Sequence, residues 1–282
     1  MWRSIDKPQP DWLSSKEFKF IVGTNENEFM VHSALLIEQS KPLHALVTNG
    51  MKESLEATVK WPHVDIATFK KFSEYLYTGD FVAPGFDLIA NISSHRTCIR
   101  NNLPEFDDNK ITHKAWVRFR TRKRYAFHEL PTVYEASLYS IDDTETLSEG
   151  FLSIAKLYTF AHYYDIRKLK RFCQAKIHSL MALAPGREEV CDLLQFCEID
   201  PGGRGLKELV VEYCALNLRW LLASKKFHTL IEEYPKASLG IMKKLNSFST
   251  FYFKHISKSE VDFPGEYSSD SEADWYHETA EN

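Results

Sequence analysis

His32 and Ser33 are the nearest approach in this chain to a catalytic pair of a base and a hydroxyl nucleophile. Adjacent side chains on an extended segment or at a helix start point in different directions, so we expect no hydrogen bond between them. The sequence also has no nucleophile elbow, no Walker loop, no His-Glu-x-x-His helix and no recognisably spaced carboxylate pair. We therefore predict no enzyme activity and no cofactor, and we interpret His32 as a packing residue.

Metal and phosphate chemistry have weak signals. The five cysteines are Cys98, Cys173, Cys191, Cys197 and Cys214. They include no Cys-x-x-Cys pair, and Cys191 and Cys197 would point to different sides of a helix, so buried reduced thiols are expected and a metal is not. Gly202, Gly203 and Gly205 form a glycine-rich segment, but no predicted strand precedes it and no Lys-Ser/Thr pair follows. This segment predicts a helix boundary.

Residues 110–124 contain seven basic residues and no acidic one, with aromatic residues between them. Positive charge combined with stacking rings is typical of nucleic-acid surfaces, and a basic run is also typical of a nuclear-import signal. The alternation from Trp116 to Arg122 equally fits an added strand with a solvated basic face. The net charge of -4 argues against nucleic acid as the main partner. The candidate basic patch comprises Lys114, Arg118, Arg120, Arg122, Lys123 and Arg124.

The elements around these residues follow a readable order. Apolar residues alternate at 18–22 and again at 29–31, with turn residues between them, which predicts a β-hairpin. Ser33 and Pro42 are typical of two helix starts, and Asn49-Gly50 ends the second helix. A strand is predicted at 58–61 and a helix from Ile66 to the stop at Gly79. The predicted order is strand, strand, helix, helix, strand, helix.

This order and several matched positions resemble the first two thirds of the BTB/POZ fold, an α+β protein-interaction module. The matched positions are His32 before Leu35, Ser40 before Pro42-Leu43, Met51-Lys52-Glu53-Ser54 and Tyr75-Leu76-Tyr77-Thr78-Gly79-Asp80. Apolar helical stripes at 154–164 and 166–180 are similar to the closing helix pair of that family. The resemblance implies a BTB/POZ domain over residues 12–182 that is interrupted by a surface insertion at 83–148. The split form looks most like BTB proteins of fungi.

Residues 187–256 carry further amphipathic stripes and resemble, in position, the short helical BACK-like extension of many BTB proteins. Its predicted buried residues include Leu230, Ile231, Leu239, Ile241, Met242 and Leu245. Residues 259–282 contain eight acidic residues and no Lys or Arg, which predicts a disordered tail, with Trp275 and Tyr276 as a candidate docking peptide. No secretory signal and no run of about 18 apolar residues occurs, so we expect an intracellular protein of the nucleus or cytoplasm, without a membrane span.

The resemblance also implies partners. Many family members are substrate adaptors of cullin-based ubiquitin ligases and present an apolar residue, any residue and Glu to the cullin, which Met51, Lys52 and Glu53 match. A packed Met51 and a solvated Glu53 are the alternative. Dimeric members place an Asp and a basic residue in a charged pocket where this chain has Glu17 and Ser33, so an obligate homodimer is not expected. A weak or partner-dependent homodimer stays an alternative. A nuclear or transcription-associated scaffold that uses the insertion is the second functional hypothesis.

Overall fold

The computed structural model describes residues 12–83, 110–122, 145–182, 186–200 and 202–259. After a short 3-10 turn at Trp12–Ser14, a three-stranded sheet consists of β1 (Glu17–Val22), β2 (Asn27–His32) and β3 (Thr58–Trp61). β1 lies in the centre, antiparallel to β2 and parallel to β3. Phe18, Phe20 and Val22 are buried, which confirms the predicted hairpin and its inward face.

Four helices in the described residues surround this sheet: α1 (Ser33–Ile37), α2 (Lys41–Thr48), α3 (Lys52–Glu56) and α4 (Ile66–Thr78). The Ser40 hydroxyl caps α2, the Asp65 carboxylate caps α4, and Gly79 ends α4 with a φ of 76°. These ends agree with the predicted order. The five-residue helix α3 was not predicted, and the predicted cap Ser33 is the first residue of α1 and forms no cap.

The insertion contains α5 (Lys110–Arg120), which corrects the alternative prediction of an added strand in this segment. Trp116 and Phe119 are 2% and 0% exposed, because they lie one helical turn apart and face the protein interior. α5 packs against α7 (Arg167–Ala182), α9 (Arg204–Leu216) and α12 (Pro235–Ser259). Residues 110–120 are therefore a docked helix rather than an excursion with a wholly solvated face.

α6 (Glu145–Tyr163) and α7 join the BTB-like sheet and α4 in one core. The Phe160 ring lies 4.8 Å from the Phe72 ring and 5.6 Å from the Trp61 ring. The buried Lys176 on α7 donates to the Phe81 carbonyl at 2.7 Å and pairs with Asp80, directly after α4. The helices on the two sides of the insertion are thereby joined by aromatic packing and by a buried cation.

The extension contains α8 (Arg187–Ile199), α9, α10 (Leu218–Leu221), α11 (Lys225–Glu233) and α12. Ile241 is buried on α12, but Leu239 and Met242 are 52% and 65% exposed, so their predicted burial is wrong. The glycine-rich segment lies at the start of α9. A Cβ on Gly203 (φ 125°) would lie 3.2 Å from both the Tyr158 hydroxyl and a His162 nitrogen, so close helix packing requires glycine there.

Candidate interaction surfaces

The predicted partner-binding residues lie on and next to α3. Gly50 adopts a φ of 74° after α2, and the Asn49 side-chain oxygen accepts a hydrogen bond from the Met51 amide at 2.9 Å. This local turn presents Met51 at the N-cap of α3, where its carbonyl accepts a hydrogen bond from the Ser54 hydroxyl at 2.9 Å. The C-terminal end of α3 is also fixed. Ala57 at the C-cap has a left-handed backbone, and its carbonyl accepts a hydrogen bond from the Lys19 amide of β1.

The side chains of this helix face outward. Met51 is 64% exposed and Lys52 is exposed, whereas Glu53 is half-buried. Leu55 was missed by the sequence analysis, although it follows Met51 by one helical turn, and it is 72% exposed. We define the α3 surface as Met51, Lys52, Glu53 and Leu55. It offers two neighbouring apolar side chains beside a carboxylate, which is a suitable combination for binding a protein partner.

The candidate basic patch lies on and after α5, and the structure divides it. Lys114, Arg118 and Arg120 are on the exposed side, whereas Lys123 and Arg124 lie outside the described residues. The rings of Trp116 and Phe119, which the nucleic-acid hypothesis needed for base stacking, lie against Tyr213 at centroid distances of 5.8 and 5.9 Å. These rings belong to the core and are inaccessible to a nucleic acid.

Arg122 has a role within the fold. Its guanidinium donates two hydrogen bonds to the Glu212 carboxylate on α9, one of them at 2.8 Å, and Lys244 on α12 lies 3.6 Å from the same carboxylate. The Glu212 side chain is only 7% exposed. A buried carboxylate needs such compensation, so the end of α5, α9 and α12 are joined at one charged centre.

His178 on α7 lies beside this centre. Its Nε2 donates to the Phe119 carbonyl at 2.7 Å, which satisfies a carbonyl in the last turn of α5. Burial lowers the pKa of His178, and the nearby Arg122 lowers it further, while the Phe119 carbonyl and Glu212 act in the opposite direction. A neutral His178 therefore anchors α5.

His32 and Ser33 do not form a catalytic pair in the structure. His32 Nδ1 lies 2.8 Å from the Tyr77 hydroxyl, and the Trp12 ring contacts both rings edge-on at 5.1 and 5.3 Å. Ser33 is buried, and its amide donates to the Lys16 carbonyl at 2.9 Å. His32 is half-buried and packs in an aromatic cluster at the edge of the domain. At the predicted dimer-pocket positions, Glu17 is exposed and Ser33 faces inward.

The described cysteines are buried and reduced. Burial raises the pKa of Cys191 to about 11 and that of Cys197 to about 12, and burial also raises the pKa of Cys173 and Cys214. These thiols are poor nucleophiles at neutral pH. Across the described ranges, no group of three or more His, Cys, Asp or Glu side chains is placed to hold a metal. No helix in the same part of the chain is long and apolar enough to cross a membrane.

A shallow groove lies between the β3–α4 loop, α6 and α8. Its volume is 330 Å³, and its lining includes His63, Asp65, Lys156, Tyr163 and Phe196. The Asp65 carboxylate is committed to capping α4 through the amide and hydroxyl of Thr68. The groove is mixed in character and has no catalytic arrangement of these side chains.

Residues 16–93 match the family model of the BTB/POZ domain. The chain therefore contains a BTB/POZ domain, an α+β protein-interaction module, as the mixed sheet, α1 to α4 and the exposed α3 surface also indicate. No curated protein matches the chain. Further helices, at 145–163 and beyond, follow the matched residues.

Proposed function

We propose that this chain is a non-enzymatic, intracellular adaptor in which the BTB/POZ domain binds a cullin N-terminal region through the α3 surface. The observation that carries the proposal is the exposure of Met51 beside Glu53 in a domain whose established role is protein interaction. The family resemblance of Met51-Lys52-Glu53 supports a cullin as the partner. The helical extension, joined to the domain by one core, would then present a substrate to the ligase.

The physical basis is the arrangement of the side chains. An exposed Met side chain is flexible and fits an irregular apolar groove, while a carboxylate at the edge accepts charge-assisted hydrogen bonds. α3 is five residues long and is tied to the sheet at its end, so Met51 and Leu55 are presented by a fixed backbone. Pre-organisation of this kind lowers the entropic cost of binding.

Calorimetric titration of a cullin N-terminal fragment into the full chain tests this proposal. We expect the double substitution Met51→Ala and Glu53→Ala to weaken binding by about 2 to 6 kcal/mol, because each contact is worth roughly 1 to 3 kcal/mol at an interface centre. Thermal melts should change little, since both residues lie on the surface.

The matched control is Met242→Ala, because Met242 is 65% exposed, as Met51 is 64% exposed, but lies on α12. It should bind the cullin fragment as the wild type does. Absence of wild-type binding at tens of micromolar, or equal loss in the control, contradicts the adaptor proposal. The BTB/POZ assignment would stand in either case, because it rests on the fold and the family match.

The second hypothesis, a nuclear scaffold with a nucleic-acid-binding insertion, has less support. The exposed Arg118 and Arg120 favour a surface role for α5, but the buried Trp116 and Phe119 are unavailable for base stacking. The other two aromatic residues of this segment, Tyr125 and Phe127, lie outside the described residues. We expect any nucleic-acid affinity to be low and steeply dependent on salt, because few phosphates would be neutralised. A submicromolar affinity at physiological salt that is lost on replacing these two arginines would favour the scaffold instead.

A further inference from the structure

α12 is the longest helix in the described residues, and its charged side chains are all of one sign. Its sequence, Pro235–Ser259, contains five lysines and no Asp or Glu. One stripe packs inward: Ala237 and Ile241 are buried, and Leu245 and Phe248 continue it against the core. The opposite stripe is therefore a solvent-facing surface on a helix of uniformly positive charge.

That outward stripe mixes cations with large apolar side chains. Lys236, Leu239, Met242 and Lys243 are all exposed, and their spacing places them on one side of the helix. Within the described residues, neither Lys236 nor Lys243 forms an ion pair. We call this set the α12 face. Two neighbouring apolar side chains exposed by half or more are expensive to leave in water unless a ligand covers them.

The surroundings strengthen the positive potential. Arg122, after α5, and Lys244, on α12, converge on Glu212, so the basic helix α5 lies next to α12. The Glu212 carboxylate is already paired with these two cations. Arg120 is exposed on α5, which contacts α12. An occupant of this face should be acidic and should carry an aromatic or aliphatic anchor.

The chain itself supplies such a segment. Residues 260–282 begin directly after α12 and contain eight acidic residues, no Lys or Arg, and Trp275 followed by Tyr276. From Ser259 back to Leu239 is about 30 Å along a helix, because each residue rises about 1.5 Å. The residues from 260 to Trp275 can span roughly 50 Å at about 3.3 Å per residue. Trp275 can therefore reach Leu239 and Met242.

We propose that the acidic segment 260–282 docks in cis on the α12 face, with Trp275 or Tyr276 against Leu239 and Met242 and with the acidic residues beside Lys236 and Lys243. Connection through Ser259 gives the segment an effective concentration on the order of millimolar, so modest contacts suffice. A thioether against an aromatic ring adds a favourable contact. The ion pairs are exposed, so docking weakens as salt screens them.

This surface is distinct from the α3 surface, and the proposal does not depend on cullin binding. Docking in cis would shield the basic, apolar face from other acidic partners. Neutralising the segment should therefore expose the face.

Zero-length carbodiimide cross-linking of the full chain, read by mass spectrometry, tests the proposal. We expect Lys236 and Lys243 to couple to acidic residues of 270–281 about fivefold more than the control Lys52, which is also exposed, because docking raises the local concentration of the segment at the α12 face. Couplings to Lys254 and Lys258 are disregarded, because these residues are close to the segment in sequence. Raising the salt from 0.05 to 0.5 M should remove the preference without any substitution.

Charge reversal provides the second arm. Lys236→Glu with Lys243→Glu removes the two amines that couple, so this variant serves as the background for a rescue. In the wild type, a mixture of isotope-labelled and unlabelled chains should show coupling within one chain only. Reversing Asp270, Glu272 and Asp274 to Lys in that variant should restore the proximity, read as coupling between the new Glu and Lys side chains. Couplings spread evenly over Lys52 and the α12 face, or found only between differently labelled copies, would overturn the proposal. So would binding of phosphatidylserine vesicles by the wild type without any coupling in cis.

Discussion

α3 and α5 are two short helices that the sequence marks for binding, and they have opposite relations to the core. α3 exposes Met51 and Leu55 and has no buried side chain. α5 carries the denser cluster of basic and aromatic residues, yet Trp116 and Phe119 are buried and Arg122 is paired with Glu212. The comparison shows that aromatic residues among arginines do not by themselves indicate a ligand surface. When their spacing places them on one inward face of a helix, they belong to the core.

The largest expected effect comes from removing the anchors of α5. Trp116→Ala and Phe119→Ala should each lower the free energy of unfolding by about 3 to 5 kcal/mol, because a large buried ring is replaced by a cavity. Met51→Ala on α3 should change it by less than about 0.5 kcal/mol. Urea unfolding followed by circular dichroism measures both. A cost below about 1 kcal/mol at Trp116 would mean that α5 is not part of the cooperative core.

The charged centre at Glu212 should give an intermediate effect. Glu212→Gln keeps the shape of the side chain but leaves the Arg122 guanidinium and the Lys244 amine without their buried carboxylate. We expect a cost of about 1 to 3 kcal/mol, reduced from that of a fully buried pair because Arg122 is 27% exposed. The control Glu208→Gln changes an exposed residue of the same helix and should be neutral. Equal stabilities of the two variants would show that the pairing contributes nothing.

The smallest effect is the pH dependence at His178. Its pKa is lowered in the folded protein by burial first, so the unfolded chain binds this proton more readily. The stability that the neutral ring provides is complete above its ordinary pKa of about 6.5, and it is lost as the pH falls below that value. Between pH 7 and pH 5.5 the loss should be at most about 1 kcal/mol.

His178→Gln separates this contribution from those of the other histidines. Glutamine can still donate to the Phe119 carbonyl, but it does not titrate, so the variant should have a flatter stability profile between pH 5.5 and 7 than the wild type. Unfolding in urea at several pH values gives the two profiles. Parallel profiles would show that His178 does not couple α5 to pH.

The sheet and the ends of α2 and α4 were predictable because each has a local cause. Phe18, Phe20 and Val22 alternate, Ser40 is an N-cap before Pro42, and Gly79 adopts the left-handed backbone that ends α4. α3 was missed because five residues are too short to show helical periodicity. The binding proposal rests on the exposure of α3. That exposure depends on how the other elements pack around α3, which the short motif does not determine.

The errors in α5 and α12 have a shared cause. Between Trp116 and Arg122 the sequence fits two patterns. The alternation of residues indicates a strand, and the one-turn spacing of Trp116 and Phe119 indicates a helix. Packing against Tyr213 selects the helix. On α12, Leu239, Ile241 and Met242 cover more than one helix face, so periodicity alone does not decide which of them are buried. Contact with α9 buries Ile241 and leaves the other two exposed. Glu212 and His178 were missed because their partners are distant in sequence.

The buried Lys176 has a consequence for the synthesis of the protein on the ribosome. It binds Asp80 and the Phe81 carbonyl across about 95 residues of chain, which a ribosome adds in roughly 5 to 20 s at about 5 to 20 residues per second. During that interval Phe72 and Trp61 lack the ring of Phe160 that later covers them. The apolar side of the sheet and of α4 therefore stays uncovered on the nascent chain until α6 and α7 have been synthesised.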